Sequence, residues 1–215
     1  MSTTIDPVAL SALLASRVCH DLINPVGALG SGLDVLDETD QDAAMKDAAL
    51  DLIRSGGQKA IAVLKFARLA YGSAGGFGAQ IPMEEAELCL KDLYKWAKAD
   101  LDWRISPGMR SKEAVKIALI LGSFAADCVP RGGKVTVSEE LQTIIVAAEG
   151  PRALLNEDLV AALQGRATEL KPKFAPAFIA GELARAMGGE TSAEIEGHRV
   201  TLRARLAESR LRAAC

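Results

Sequence analysis

The chain contains two histidines, His20 and His198, and they stand in very different company. Asp21 follows His20 directly, and Asn24 and Pro25 come one helical turn later. Neutral imidazole is a good nucleophile near neutral pH. A carboxylate beside it can hydrogen-bond the ring or accept a proton, and so favour its reactive state. Pro25 lacks the N–H that would bond the carbonyl of Asp21, so it is expected to kink a helix and free that carbonyl. His198 lies in Glu196-Gly197-His198-Arg199, between two predicted strands. With no partner pattern around it, His198 reads as a passive turn residue. The cysteines Cys19, Cys89, Cys128 and Cys215 are widely spaced with no C-x-x-C pair, which suggests neither a zinc site nor a disulfide framework. They read as reduced packing thiols.

The element that must carry His20 is a long helix. Leu10, Leu14, Val18, Leu22, Val26, Leu29, Leu33 and Leu36 recur every three to four positions, predicting a helix over 7–37 with one apolar stripe. At 100° per residue His20 falls about 180° from the centre of that stripe and is expected to face solvent. An exposed helical histidine is ordinarily just a surface residue. Its face neighbours Ser16, Asn24, Gly27 and Ser31 are small or polar, however, so another protein's backbone can approach closely there. After the polar turn 37–40 a second helix is expected to run to about Tyr71. Met45, Ala48, Leu52, Gly56, Ala60, Val63, Ala67 and Ala70 form its apolar face, with Asp47, Asp51, Arg54, Gln58, Lys65 and Arg68 on the other. Gly56-Gly57 costs about 1 kcal/mol per glycine relative to alanine, which predicts close helix approach or a bend. A lone hairpin leaves much of its stripe in water, and dimerisation into a four-helix bundle would cover it.

The glycine-rich stretch that follows reads as a linker, dividing the chain into a helical hairpin (1–72), a linker (73–80) and a second domain (81–215). In the second domain helices are expected at 83–101, 111–128, 156–164 and 174–187. Strands are expected at 102–105, 133–138, 142–148, 191–196 and 198–206, an α+β pattern with glycine turns at 131–133 and 188–189. A net charge of -3 with mixed signs and 4% aromatic residues provides neither the basic stripe nor the stacking platform of a nucleic-acid binder. No apolar run reaches the roughly 18 residues of a membrane span, and the N-terminus lacks a secretory pattern. The expectation is a cytoplasmic protein whose partners are proteins, with no nucleic acid and no membrane.

The run Cys19-His20-Asp21-Leu22-Ile23-Asn24-Pro25 resembles the H-box of histidine-kinase dimerisation domains, a phosphoacceptor histidine followed by an acid and then by Asn or Thr before Pro. In that setting Asn24 can position the incoming phosphoryl group or its carrier. The second domain resembles the kinases' ATP-binding α/β sandwich, but in degenerate form. Aligned on Pro130 and Gly132, Ile120 and Phe124 stand where that family has two asparagines. Ala148 and Arg152 replace an aspartate and a glycine of D-x-G-x-G, and Pro172-Lys173-Phe174-Ala175-Pro176 stands in place of a glycine-rich lid. Without these elements most positioning and charge stabilisation for transfer from ATP is missing.

A hairpin H-box joined to such a body resembles the ChpT family of phosphotransferases, over nearly all of residues 8–206. The resemblance implies a phosphorelay histidine phosphotransferase passing a phosphoryl group through His20. The donor would be the receiver domain of a CckA-like hybrid kinase, and the recipients CtrA-like and CpdR-like response regulators. His20, Asp21 and Asn24 would be the catalytic residues. Arg17, Pro25, Gly27, Ala28, Ser31 and Arg54 would meet the receiver, with Arg17 directed to acidic groups around its active site. The receiver would bring its own magnesium, so this chain is expected to bind no cofactor or metal. The rivals are a non-catalytic adaptor that sequesters receivers or kinases, and a residual ATP-dependent kinase.

Overall fold

The computed structural model describes residues 5–72 and 80–207. All of the predicted linker except Gln80 lies outside them, as does Cys215. Helix α1 (Pro7–Asp37) starts where Asp6 accepts a hydrogen bond from the Ala9 amide at 2.9 Å and Pro7 pre-sets the first turn. Helix α2 (Ala43–Tyr71) starts in the same way, with Asp42 accepting from the Met45 amide at 2.8 Å. Such caps stabilise a helix by about 1 kcal/mol each. α1 runs through Pro25 without interruption.

The hairpin closes most tightly at its glycines. A Cβ on Gly56 would lie 2.7 Å from the Pro25 carbonyl oxygen and 3.2 Å from the Ala28 Cβ. Gly56 is thus the close-approach point expected from the sequence, whereas a Cβ on Gly57 would meet only Leu29 Cδ2, at 3.7 Å. The polar face of α2 is exposed as expected. Its buried face differs in detail, because Ala49, Ala62 and Phe66 are buried while Met45 and Leu52 are exposed. On α1 only Pro25 and Gly32 are buried, and Val26 and Leu33 of the expected stripe stay in water. One α1–α2 interface covers only part of an apolar band that is wider than a single neighbour can reach.

The rest of the described chain is an α+β unit. It comprises β1 (Gln80–Pro82), α3 (Met83–Tyr94), β2 (Ala99–Trp103), β3 (Met109–Ser111), α4 (Lys112–Asp127), β4 (Gly133–Glu140) and β5 (Thr143–Glu149). There follow α5 (Glu157–Leu163), a 3-10 turn at Pro172–Phe174, α6 (Ala175–Ala186), β6 (Glu190–Glu196) and β7 (Arg199–Arg205). The five-stranded sheet has the order β2-β4-β5-β7-β6, with β2 parallel to β4 and the remaining pairs antiparallel. Val135, Val137, Ile144, Val146, Val200 and Leu202 alternate onto one face and join α4 and α6 in the core. At the start of β4, Gly133 has φ +148°, and a Cβ there would lie 2.1 Å from the Glu149 carbonyl oxygen.

Two expectations need correction. The helix expected over 83–101 ends at Tyr94, whose hydroxyl donates to the Gly122 carbonyl at 2.6 Å and pins the end of α3 to α4. The strand expected at 102–105 begins at Ala99, because Ala99, Leu101 and Trp103 pair in register with Gly133, Val135 and Val137. The short β1–β3 pair was not foreseen. Cys89 and Cys128 are buried free thiols that burial pushes up to about 11 and about 12, so they stay uncharged packing groups. Cys19 is exposed.

Candidate functional site

His20 projects from the outer face of α1, its side chain 77% exposed. Asp21 comes next on the helix, and its two oxygens have separate partners. Oδ1 lies 3.3 Å from His20 Nδ1, and Oδ2 accepts a hydrogen bond from Arg17 Nε at 2.7 Å. Arg17 reaches Asp21 because residues four apart on a helix stand one above the other. Both members of this pair are about three-quarters covered, with side-chain exposures of 23% and 28%. In the chain of contacts Arg17–Asp21–His20, Asp21 meets the ring at Nδ1 and leaves Nε2 uncontacted by it.

Below the ring the hairpin and the α+β unit enclose a cleft of about 320 Å³. Arg17, His20, Asp21, Asn24 and Pro25 line it from α1, Lys59 and Tyr71 from α2, and Ser123, Phe124 and Asp127 from α4. Trp96, in the loop after α3, closes one side and lies under Lys59 Nζ, 5.9 Å from the ring centroid. Tyr71 packs edge-on against Phe66. Burial pushes its phenol well above the ordinary range, the Arg17 charge opposes that shift and Asp21 adds to it.

The remaining expected residues divide into groups. Asn24 is exposed on the next turn, and Gly27 and Ser31 are exposed beyond it, with open space around Gly27. Ala28 is half-buried against Gly56. Pro25, expected at the docking surface, is buried, and its carbonyl faces Gly56. Being buried, Pro25 presents little to a partner. Arg54 is exposed and paired with Asp51 at 2.6 Å, outside the residues that line the cleft. Tyr71, Lys59, Trp96 and Asp127 were not singled out from the sequence. Lys59 is recoverable once Gly56 is set opposite Pro25, since it then lies one turn toward His20. The residues of the second domain carry no such local signal. His198 sits in the β6–β7 turn, where its carbonyl accepts from the Gly150 amide.

In the α+β unit Ile120 and Ala148 are fully buried and Phe124 nearly so. Phe124 stacks on Phe174 at 6.3 Å between centroids and 20° between planes. The 3-10 turn thus lays its last residue on α4. Arg152 is exposed. Among the described residues, no group of three or more His, Cys, Asp or Glu side chains is gathered where it could hold a metal ion. Nor is any helix among them long and apolar enough to cross a membrane.

Residues 83–199 match the family model described as histidine phosphotransferase C-terminal domain. The protein phosphotransferase ChpT of Brucella abortus (strain 2308) is 33% identical over 174 residues, spanning 81% of this chain and 76% of that protein. A solved structure described as a bacterial phosphotransferase superposes with a TM-score of 0.83 at 26% identity. That superposition covers 94% of this chain and 98% of the other.

Proposed function

Because this chain belongs to the histidine phosphotransferase family that includes ChpT, and is a phosphotransferase of a phosphorelay, we propose that His20 carries the phosphoryl group and that Asp21 and Asn24 serve it. The carrying observation is the placement of His20. It is an imidazole whose side chain is largely exposed, with a carboxylate oxygen 3.3 Å from Nδ1, which leaves Nε2 as the nitrogen that Asp21 does not contact. With the proton on Nδ1 held by Asp21, the Nε2 lone pair attacks the phosphorus of an aspartyl phosphate on a receiver domain. The N–P bond forms as the P–O bond to the receiver carboxylate breaks, and the carboxylate leaves with that electron pair. Positive charge that develops on the ring is met by Asp21. The reverse step on a second receiver passes the group on. This chain contributes nucleophilicity and positioning, while the receiver brings its aspartate and divalent cation. Asn24, one turn along, is placed to hydrogen-bond the incoming phosphoryl oxygens.

The receiver docks over the small, open surface at Gly27, Ala28 and Ser31, with Arg54 at its margin. The donor is the receiver of a CckA-like hybrid kinase and the recipients are CtrA-like and CpdR-like regulators, acting in the cytoplasm. A homodimer covers the apolar band that the single hairpin leaves in water. Ile23, Val26, Leu33, Met45, Leu52 and Ile61 are exposed on the two helices, and covering what remains of their apolar surface stabilises by about 25 cal/mol per Å². The phosphoryl group does not come from ATP, a reading supported by Phe124 on Phe174 and by buried Ile120 and Ala148 where nucleotide ligands would be needed.

Incubation of the full chain with a labelled phosphoreceiver tests the proposal. Transfer of label to this chain in a base-stable, acid-labile form is expected. Stable complex formation with no label transferred would instead make the protein an adaptor.

A further inference from the structure

Arg17 is expected from sequence to meet a partner's acidic groups, yet its guanidinium is engaged within its own helix. Its Nε donates to Asp21 Oδ2 at 2.7 Å, and both side chains are largely covered. Tyr71 is half-buried at the end of α2, close enough that its phenol feels both charges. A carboxylate has two oxygens and rotates freely unless both are occupied. Here one oxygen is held by Arg17, which leaves the other facing His20 Nδ1.

We propose that Arg17 is a positioning residue for phosphotransfer: it locks the Asp21 carboxylate, and through it the tautomer and ring orientation of His20. This deepens the relay reading and rests on His20 being the nucleophile. The lock favours the imidazole form with the proton on Nδ1, which keeps the lone pair on Nε2, the nitrogen that Asp21 does not contact. A hydrogen bond to one ring nitrogen decides which nitrogen is left to react. Without Arg17, Asp21 turns away among its own rotamers and the two neutral tautomers mix. The charged and titratable groups facing this pair are Tyr71 and Lys59 from α2 and Asp127 from α4, all lining the same cleft.

The test uses the full chain with nitrogen-15 in its imidazoles, at a pH above the imidazole titration, with His20→Ala assigning the two histidines. The wild-type His20 signals should show Nδ1 protonated and Nε2 bare. Arg17→Ala and Asp21→Ala should both move them toward a mixture, and Arg17→Lys should move them part of the way back. With saturating phosphoreceiver, Arg17→Ala should slow uptake by roughly tenfold or more, as expected for a misaligned nucleophile, at an unchanged half-saturating concentration. Thermal melts should confirm that the variants fold. Unchanged His20 signals in Arg17→Ala would overturn the proposal. So would a saturated rate equal to wild type with a raised half-saturating concentration, which would return Arg17 to docking. The imidazole measurement needs no phosphoryl donor. Failure of the wild type to take up label would therefore count against the relay reading, while the lock would still be read from the ring.

Discussion

Gly56 and Gly57 are adjacent in the middle of one helix, and the structure predicts opposite outcomes when each becomes alanine. Helix propensity gains about 1 kcal/mol from either change. At Gly57 the new methyl meets only Leu29 Cδ2 at 3.7 Å, an ordinary contact, so Gly57→Ala should stabilise the protein by up to about 1 kcal/mol. At Gly56 the methyl would sit 2.7 Å from the Pro25 carbonyl oxygen and 3.2 Å from the Ala28 Cβ. Backbone cannot rotate aside as a side-chain tip can, so α1 and α2 must part by several tenths of an ångström. Overpacking of this kind costs about 1–3 kcal/mol, which cancels or outweighs the propensity gain. The propensity contribution is common to both variants, so the difference between them isolates the clash: Gly57→Ala should exceed Gly56→Ala by about 1–3 kcal/mol. Urea unfolding at matched protein concentration, read as midpoints at constant slope, measures this gap. Equal stability of the two variants, or a more stable Gly56→Ala, would refute the hairpin packing described here.

Of the two tyrosines of the chain, Tyr94 is buried and Tyr71 half-buried, and burial raises each phenol above its ordinary value of 10.0. The folded state therefore favours the neutral phenols. That stability is present below the unfolded value and is lost as pH climbs above it, so phenolate absorbance should appear together with unfolding; a titration near 10 in a protein that stays folded would contradict the burial. Light scattering should give a mass about twice 22.6 kDa, and a dilution-independent monomer mass would remove the need for a covered apolar band. Millimolar ATP with magnesium should give no saturable thermal shift, and a shift mapped to the α+β unit would show that Phe124 on Phe174 leaves a nucleotide site open.

The parts of this fold legible in sequence are those with long periodic signals. α1 and α2 could be bounded to within a few residues because their apolar spacing persists over many turns and a polar turn separates them. The end of α3 is ambiguous in sequence because Ala97, Ala99, Leu101 and Trp103 suit a helix and a strand alike, and only the pairing of β2 with β4 decides between them. β1 and β3 have three residues each, too short for any period to show. At the site, the exposure of His20 followed from helical phase alone. The engagement of Arg17 with Asp21 has the spacing of a helical pair, yet the sequence does not show which of several partners the guanidinium takes. The Phe124–Phe174 stack joins residues far apart in the chain and was visible only as the loss of expected asparagines. The matched family segment, 83–199, does not contain His20, so the assignment of the phosphoryl carrier rests on the geometry of α1.

That assignment is tested most directly by locating the phosphoryl group. After incubation with a labelled phosphoreceiver, the protein should be digested under alkaline conditions, which preserve phosphohistidine and destroy the receiver's acyl phosphate, and the labelled peptide sequenced. Label is expected on the peptide that carries His20, and none in His20→Ala, whose folding stability should remain within about 0.5 kcal/mol of wild type because the side chain is exposed. Base-stable label in His20→Ala, or on a peptide carrying His198, would contradict it.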